Sequence, residues 1–224
     1  MTRPWTTLAT VSTAEGPLEL RQRGDSDFLI VVGGRVLMNS YSRSSEEELS
    51  RLGLSHLATL TTAPRVLIGG LGMAFTLRAA LDVLPPRASV VVVELNPVVV
   101  EWCKGPLAAA TRDAVAELDA HARVGDVARA IATAKPGAYD AILLDLYEGP
   151  NAASQRKDDP FYGPAALARA HAALAPKGVL AVWSEDADEP FAKRFTAAGF
   201  DVTTHSIGRG GRRHIVYLGK RRAT

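Results

Sequence analysis

Apolar and polar positions along this chain change rhythm near residue 65, and each rhythm predicts a different kind of element. Before that point, Leu18 to Arg23 alternates, Phe28 to Val32 is an apolar, β-branched run, and Gly33-Gly34 offers a two-residue turn into Val36 to Asn39. These segments predict a small β-ribbon. The run Ser44-Ser45-Glu46-Glu47-Glu48 then predicts a helix with a side-chain cap and an acidic first turn, reaching about Ala58. From Arg65 onward, short continuous apolar runs alternate with helical stretches. Val66-Leu67-Ile68, Val90 to Val93, Ala141 to Leu144 and Val179 to Trp183 predict strands buried on both faces. Thr76 to Leu84, Pro97 to Ala110, Val127 to Ala134, Phe161 to Leu174 and Glu189 to Ala198 predict the helices that cover them.

Alternation of strand and helix implies an α/β, doubly wound fold. The end breaks the alternation. Phe200 to Ser206 and His214 to Leu218 are two strand-like runs around Gly208-Arg209-Gly210-Gly211, which predicts a C-terminal antiparallel hairpin. That ending favours a Rossmann-like sheet of the methyltransferase type, mostly parallel with seven strands, over the dinucleotide type. The expected organisation is an N-terminal β-ribbon and helix over 1–58 and a Rossmann-like cofactor-binding catalytic domain over 59–224.

Composition narrows the class without changing the fold. The 224 residues are 47% hydrophobic and 22% charged, which suits a globular chain with a sizeable core and excludes disordered and fibrous classes. The formal charge is only +2, and the basic residues gather near the C-terminal end without interleaved aromatics. They read as a solvated turn and tail, so no nucleic-acid partner is expected. The single cysteine, Cys103, cannot form an intrachain disulfide, and no Cys/His spacing resembles a metal site. The N-terminus lacks the apolar stretch of a signal peptide, and no run is long enough to cross a membrane. The expectation is a cytoplasmic protein.

Candidate chemistry lies at the predicted strand ends. Ile68-Gly69-Gly70-Leu71-Gly72-Met73-Ala74 sits between a strand and a helix, where glycines let the backbone turn sharply and approach a ligand near free helix N–H groups. Gly69, Gly70 and Gly72 are therefore candidate cofactor residues, although a bare strand-to-helix turn would look the same. Glu94 follows at the end of the next strand, about twenty residues on, where a carboxylate can accept both hydroxyls of a ribose. Its bland alternative is a capping role near Asn96-Pro97. Asp126, after Gly125, can accept from an adenine amine or cap the helix that begins at Val127. Asp145 ends a buried strand at the carboxyl edge of the sheet, where open α/β sheets bind their ligands. The polar stretch Asn151 to Pro160 reads as a lid or a loop.

With these motifs in order, the chain resembles the spermidine synthase family and its methyltransferase-like relatives over roughly residues 18 to 220. The resemblance rests on the ribbon and acidic helix, the glycine turn followed by Thr76-Leu77-Arg78, Val93-Glu94, Gly125-Asp126, Tyr139-Asp140 through Asp145, and Pro176-Lys177-Gly178-Val179-Leu180. It implies S-adenosylmethionine or its decarboxylated form as cofactor, and a homodimer built on the ribbon. Aminopropyltransferases of the family carry an aspartate in the glycine turn that helps hold the aminopropyl end; Leu71 and Met73 occupy that stretch here. Where the family has Asp-Ser/Thr-x-Asp after the fourth strand, this chain has Asp145-Leu146-Tyr147-Glu148.

An acid-free glycine turn suits the carboxylate of intact S-adenosylmethionine better than an aminopropyl ammonium. The leading expectation is therefore methyl transfer to a small, amine-bearing acceptor. Asp145 would orient the amine and take its proton, with Tyr147 and Glu148 positioning the acceptor. Asp145 could instead cap a loop and touch only the cofactor's amine. The alternatives are aminopropyl transfer and a non-catalytic binding partner. A nicotinamide dehydrogenase fits less well, because the third glycine of its fingerprint is missing. His56, His121, His171, His205 and His214 read as surface or packing residues, Trp102 and Cys103 as core with an adenine contact open to them, and Trp183 as a possible wall of the acceptor pocket.

Overall fold

The computed structural model describes residues 3–117, 122–151, 154, 156–208 and 213–222. An antiparallel sheet opens the chain: β1 (Thr6–Thr13), β2 (Gly16–Arg23), β3 (Asp27–Val32) and β4 (Arg35–Asn39), paired in sequence order. The sequence predicts three of these strands. It misses β1 because nearly all of that strand's side chains are exposed, with Leu8 and Val11 in the open, so no apolar alternation marks it. On the inner face Leu18, Leu20, Phe28, Ile30 and Val32 join the same apolar cluster as Leu49 and Leu54 of α1 (Ser44–Leu54).

Helix α1 differs from expectation at both ends. Arg43 stands in the N-cap position with no side-chain cap, and Ser45 turns its hydroxyl to Glu46 instead. The helix stops at Leu54, and a separate turn, α2 (Leu57–Leu60), follows. Gly53 and Ser55 are weak helix formers, so nothing local carries the helix to Ala58.

The second sheet has seven strands: β5 (Arg65–Gly69), β6 (Ser89–Glu94), β7 (Ala122–Val124), β8 (Tyr139–Leu144), β9 (Leu174–Ser184), β10 (Phe200–Ile207) and β11 (His214–Arg221), in the order β10-β11-β9-β8-β5-β6-β7. The pairs β5·β6, β5·β8, β6·β7 and β8·β9 are parallel, and β11 runs antiparallel to both β9 and β10. The last strand thus inserts between β9 and β10, which is the expected mostly parallel, methyltransferase-type sheet with a C-terminal antiparallel hairpin. The expected turn at 209–211 and His121 lie outside the described residues, as do 152, 153 and 155 of the expected lid.

Helices cover both faces. On one side α1, α3 (Phe75–Val83) and α4 (Pro97–Lys104) pack with the first sheet around Val66, Ile68, Leu143 and Ala181. On the other, α6 (Val127–Ala132), α7 (Pro164–Ala173) and α8 (Glu189–Ala197) pack around Leu67, Leu144, Leu180 and Val182. A short helix, α5 (Ala114–Glu117), follows a 3-10 turn at Ala108–Thr111. The expected helix to Ala110 stops at Lys104 because Gly105-Pro106 interrupts it. Helix α7 starts at Pro164 rather than Phe161, since proline is at home in a first turn. Strand β9 starts early, at Leu174, and carries Pro176-Lys177-Gly178 as an irregularity where its register with β8 shifts. No helix among the described residues is long and apolar enough to cross a membrane.

Candidate functional site

The carboxyl ends of β5, β6, β8 and β9 gather the candidate residues. After β5 the chain turns at Gly69-Gly70, held on one side by Gly70 N–H to Val93 O at 2.9 Å and on the other by Asp145 N–H to Gly69 O at 2.9 Å. Gly70 has φ +87, and a Cβ there would lie 2.2 Å from the Asp145 carbonyl oxygen. Only glycine fits, because both the conformation and the contact exclude a side chain. Helix α3 then begins without a side-chain cap, behind Ala74 at φ 60. Leu71 and Met73 face inward, 2% and 0% exposed, so the turn presents no charged side chain. Met38 of β4 lies over it, its sulfur accepting from Met73 N–H at 3.1 Å.

Glu94 ends β6 in a buried position, and both of its oxygens are engaged. Oε2 accepts from Leu71 N–H at 2.9 Å and Oε1 from Asn96 N–H at 2.8 Å. The carboxylate therefore pins the glycine turn and the entry to α4, whereas Asn96, in the N-cap position of α4, makes no side-chain cap. Trp102 and Cys103 back the same region from α4, both buried in the core. Burial and the Glu94 charge push the Cys103 thiol up to about 12, so it stays protonated and donates to Gly72 O at 3.3 Å. Asp126 stands further out, exposed, and caps α6 by accepting from Ala128 N–H at 2.8 Å. Gly125 N–H bonds Glu94 O at 2.8 Å, which keeps the two strand ends in register.

Asp145 turns toward α1 and α3. Thr76 Oγ1 donates to its Oδ2 at 2.5 Å and also lies 3.4 Å from the Glu46 carbonyl. Burial raises the Asp145 carboxyl, the negative charge of Glu46 raises it further, to about 7, and the Thr76 hydroxyl pulls the other way. Glu46 is itself buried and held above the usual carboxylate range by desolvation, against the Ser45 hydroxyl bond. Two acids thus stand under one rim, and neither Glu46 nor Thr76 was singled out as a site residue from the sequence. Glu46 reads there as one of several first-turn acids, and only the packing of α1 distinguishes it.

Tyr147 and Glu148 lie on the outer side of the same loop, apart from Asp145. Arg35, the first residue of β4, ion-pairs with Glu148 and with Glu185 and covers the Tyr147 ring at 5.1 Å. Asn151 Nδ2 also donates to Glu148, at 2.8 Å. Glu148 has φ 59, and the next residue, Gly149, has φ 68 with Trp183 O at 2.3 Å from where a Cβ would be. Here the loop lies hard against the end of β9. The outcome is an acidic cleft of about 640 Å³ lined by Arg35, Glu148, Asn151, Glu185, Asp186 and Asp188. The arrangement joins Gly69, Gly70, Gly72, Glu94 and Asp145 in one region, sets Asp126 at its far end, and puts Tyr147 and Glu148 at an adjoining rim.

No protein-family model matches the chain, and no curated protein matches it in sequence. Solved structures do. A spermidine synthase in complex with the transition-state analogue AdoDATO superposes with a TM-score of 0.72 at 14% identity, covering 96% of this chain and 72% of that one. A probable spermidine synthase from Corynebacterium glutamicum ATCC 13032 superposes with a TM-score of 0.65 at 19% identity, covering 95% and 79%. TrmN from Thermus thermophilus gives 0.56 at 18%, covering 81% of this chain and 49% of that one. The chain has the Rossmann-like fold of the spermidine synthase and S-adenosylmethionine-dependent methyltransferase type.

Proposed function

We propose that this chain is a S-adenosylmethionine-dependent transferase that moves a methyl group to a small amine. The glycine turn carries the reading. It ends in buried Leu71 and Met73, so no carboxylate reaches out from it to repel the methionine carboxylate of the intact cofactor. The buried Glu94 carboxylate at the end of β6 and the exposed Asp126 beyond β7 suit an adenosine laid across the strand ends. When bound, such a cofactor supplies a carbon already activated by a sulfonium leaving group. The protein's share is to hold the amine in line, exclude water and accept a proton.

Asp145 fits that share. With its carboxyl held near 7, it is divided between its two forms at neutral pH, the condition in which a base takes a proton and later returns it. Thr76 fixes which oxygen is free, since it occupies Oδ2. Tyr147 and Glu148 form the rim through which the acceptor passes, tied down by Arg35.

Aminopropyl transfer is the second reading, favoured by the electrostatic pairing of buried Glu46 with half-buried Asp145, since two acids suit a cationic propylamine. Calorimetry with S-adenosylmethionine, S-adenosylhomocysteine and decarboxylated S-adenosylmethionine separates the two. Methyl transfer requires the first two to bind at least about tenfold more tightly than the third, a difference of about 1.4 kcal/mol. The reverse order would reject it.

A further inference from the structure

Helix α1 brings a chain of hydrogen bonds to the carboxyl edge. Ser45 Oγ donates to Glu46 Oε2 at 2.6 Å, and the same Oγ lies 2.9 Å from Nδ1 of His214, the first residue of β11. Ser45 and Glu46 are buried at 3% and 7% exposure, and half-buried His214 packs its ring 5.0 Å from Trp183 at the end of β9. A serine this early in a helix ordinarily caps backbone N–H groups, yet α1 has no side-chain cap and the Ser45 hydroxyl is used on Glu46. A buried acid is costly unless it is hydrogen-bonded. Here the compensation comes from a path of side chains that starts at Glu46, whose backbone carbonyl shares the Thr76 hydroxyl with Asp145, and ends at the half-buried imidazole.

We propose, resting on the transferase reading above, that Glu46 is a second acid of the site and that Glu46, Ser45 and His214 form the outlet for the proton an amine acceptor gives up. An ammonium acceptor must lose one proton to expose its lone pair, and the Asp145 and Glu46 carboxyls receive it. From protonated Glu46 the proton passes to Ser45 Oγ as Ser45 hands its own hydrogen to His214 Nδ1. The imidazolium then loses a proton from Nε2 to water. This leaves Ser45 donating to the Glu46 carboxylate and His214 Nδ1–H donating to Ser45, the polarity in which both observed bonds are satisfied. A tautomer change at His214 resets the chain, and water is the sole co-reactant.

Several elements bring groups to this path. Asp145 is faced by Glu46 from α1, Thr76 from α3 and the buried Tyr162; Glu46 is faced by Ser45 and Glu47, and the partners of His214 include Ser45 and Trp183. Among these Thr76 is the group that bonds Asp145 directly, so the outlet acts through Glu46.

The test uses the full chain with S-adenosylmethionine and a panel of primary amines, in wild type, Ser45→Ala, Ser45→Thr and His214→Gln. Ser45→Ala and His214→Gln are expected to lower kcat about tenfold, with KM for both substrates unchanged and the solvent deuterium isotope effect on kcat increased. Ser45→Thr, which keeps the hydroxyl, restores kcat to within about twofold. If Ser45→Ala does not fold, His214→Gln carries the same readout. Wild-type kcat and isotope effect in both variants would overturn the outlet while leaving the transferase reading in place. No transfer by the wild-type chain to any amine would overturn the transferase reading and the outlet's role with it.

Discussion

Thr76 Oγ1 donates a 2.5 Å hydrogen bond to Asp145 Oδ2, so the first turn of α3 holds the carboxyl at the end of β8. The bond favours the charged form of an acid that burial and Glu46 push the other way. Thr76→Val keeps the shape and removes the hydroxyl. The midpoint of Asp145 should then rise from about 7 by about one further pH unit, since a bond to a charged group contributes roughly 1.5–3 kcal/mol. A carbon-detected NMR titration of the labelled carboxyl reads this directly, and an unmoved or lowered midpoint would contradict it.

The same acid makes stability depend on pH. In the unfolded chain Asp145 ionises near the ordinary value, 3.8, whereas in the fold it stays protonated up to about 7. Its contribution is therefore fully present below about 4, is lost as pH rises toward 7, and is level above that. Asp145→Asn removes this dependence while keeping an oxygen for Thr76. Urea denaturation across pH 4 to 9 should show the variant gaining on the wild type as pH rises, by roughly 2–4 kcal/mol at pH 8. A constant difference across that range would show that Asp145 does not titrate as the geometry requires.

Much of this fold was legible because its core strands are written as unbroken apolar runs, and helices cannot be mistaken for runs as short as Val66 to Ile68. The glycine turn and Glu94 were legible for a different reason: their chemistry is local, fixed by residues adjacent in sequence or by the spacing between neighbouring strands. What was hidden depends on distant packing. Strand β1 buries too little to alternate, so pairing with β2 alone defines it. Glu46 and Glu47 are neighbours of the same type, yet one is buried near Asp145 and the other is exposed, and only the seating of α1 on β8, β9 and β11 separates them. His214 reads as a packing residue, and its bond to Ser45 spans 169 positions. Tyr147 and Glu148 were grouped with Asp145 by sequence, but the loop carries them to Arg35 on the outer side.

Two glycines with different surroundings should respond oppositely to alanine. At Gly70 the new Cβ would meet Asp145 O at 2.2 Å with φ +87, whereas at Gly125 nothing lies within 4 Å and the backbone is unstrained. Gly70→Ala should cost about 3 kcal/mol or more, because both the left-handed conformation and a backbone clash oppose it. Gly125→Ala should lie within about 1 kcal/mol of wild type. Thermal unfolding of both variants checks the contrast, and equal losses would mean that the turn is looser than its contacts imply.

Under the proposed function, Glu94 should act on both stability and cofactor binding. Its two oxygens satisfy Leu71 N–H and Asn96 N–H, and glutamine can offer only one acceptor while facing the other N–H with a donor. Glu94→Gln should therefore destabilise the chain by about 1–3 kcal/mol and weaken S-adenosylmethionine at least about tenfold. Glu94→Asp keeps the charge but shortens the reach, so it should recover less than half of the loss. Thermal shift with and without cofactor separates the two effects: a variant equally destabilised but still shifted like wild type would assign Glu94 to structure alone.

Arg35 offers the test of how far the N-terminal sheet controls the rim. Its guanidinium joins Glu148 and Glu185 and lies over Tyr147, yet the side chain is about half exposed, at 52%. Exposed ion pairs contribute little to stability because water and salt screen them. The consequence should instead appear in loop position: without Arg35, Glu148 and Glu185 repel each other across the cleft and the segment that begins at Tyr147 is less firmly seated. Arg35→Ala is expected to unfold at the wild-type temperature and to bind S-adenosylmethionine normally. KM for the amine acceptor should rise severalfold, and in the wild type raising the salt from 0.05 to about 0.5 M should reproduce part of that rise. Arg35→Lys keeps the charge but cannot bridge two carboxylates in one plane, so it should fall between the two. A fall in unfolding temperature with an unchanged KM would reverse the assignment and make Arg35 a fastener of the fold rather than of the acceptor rim.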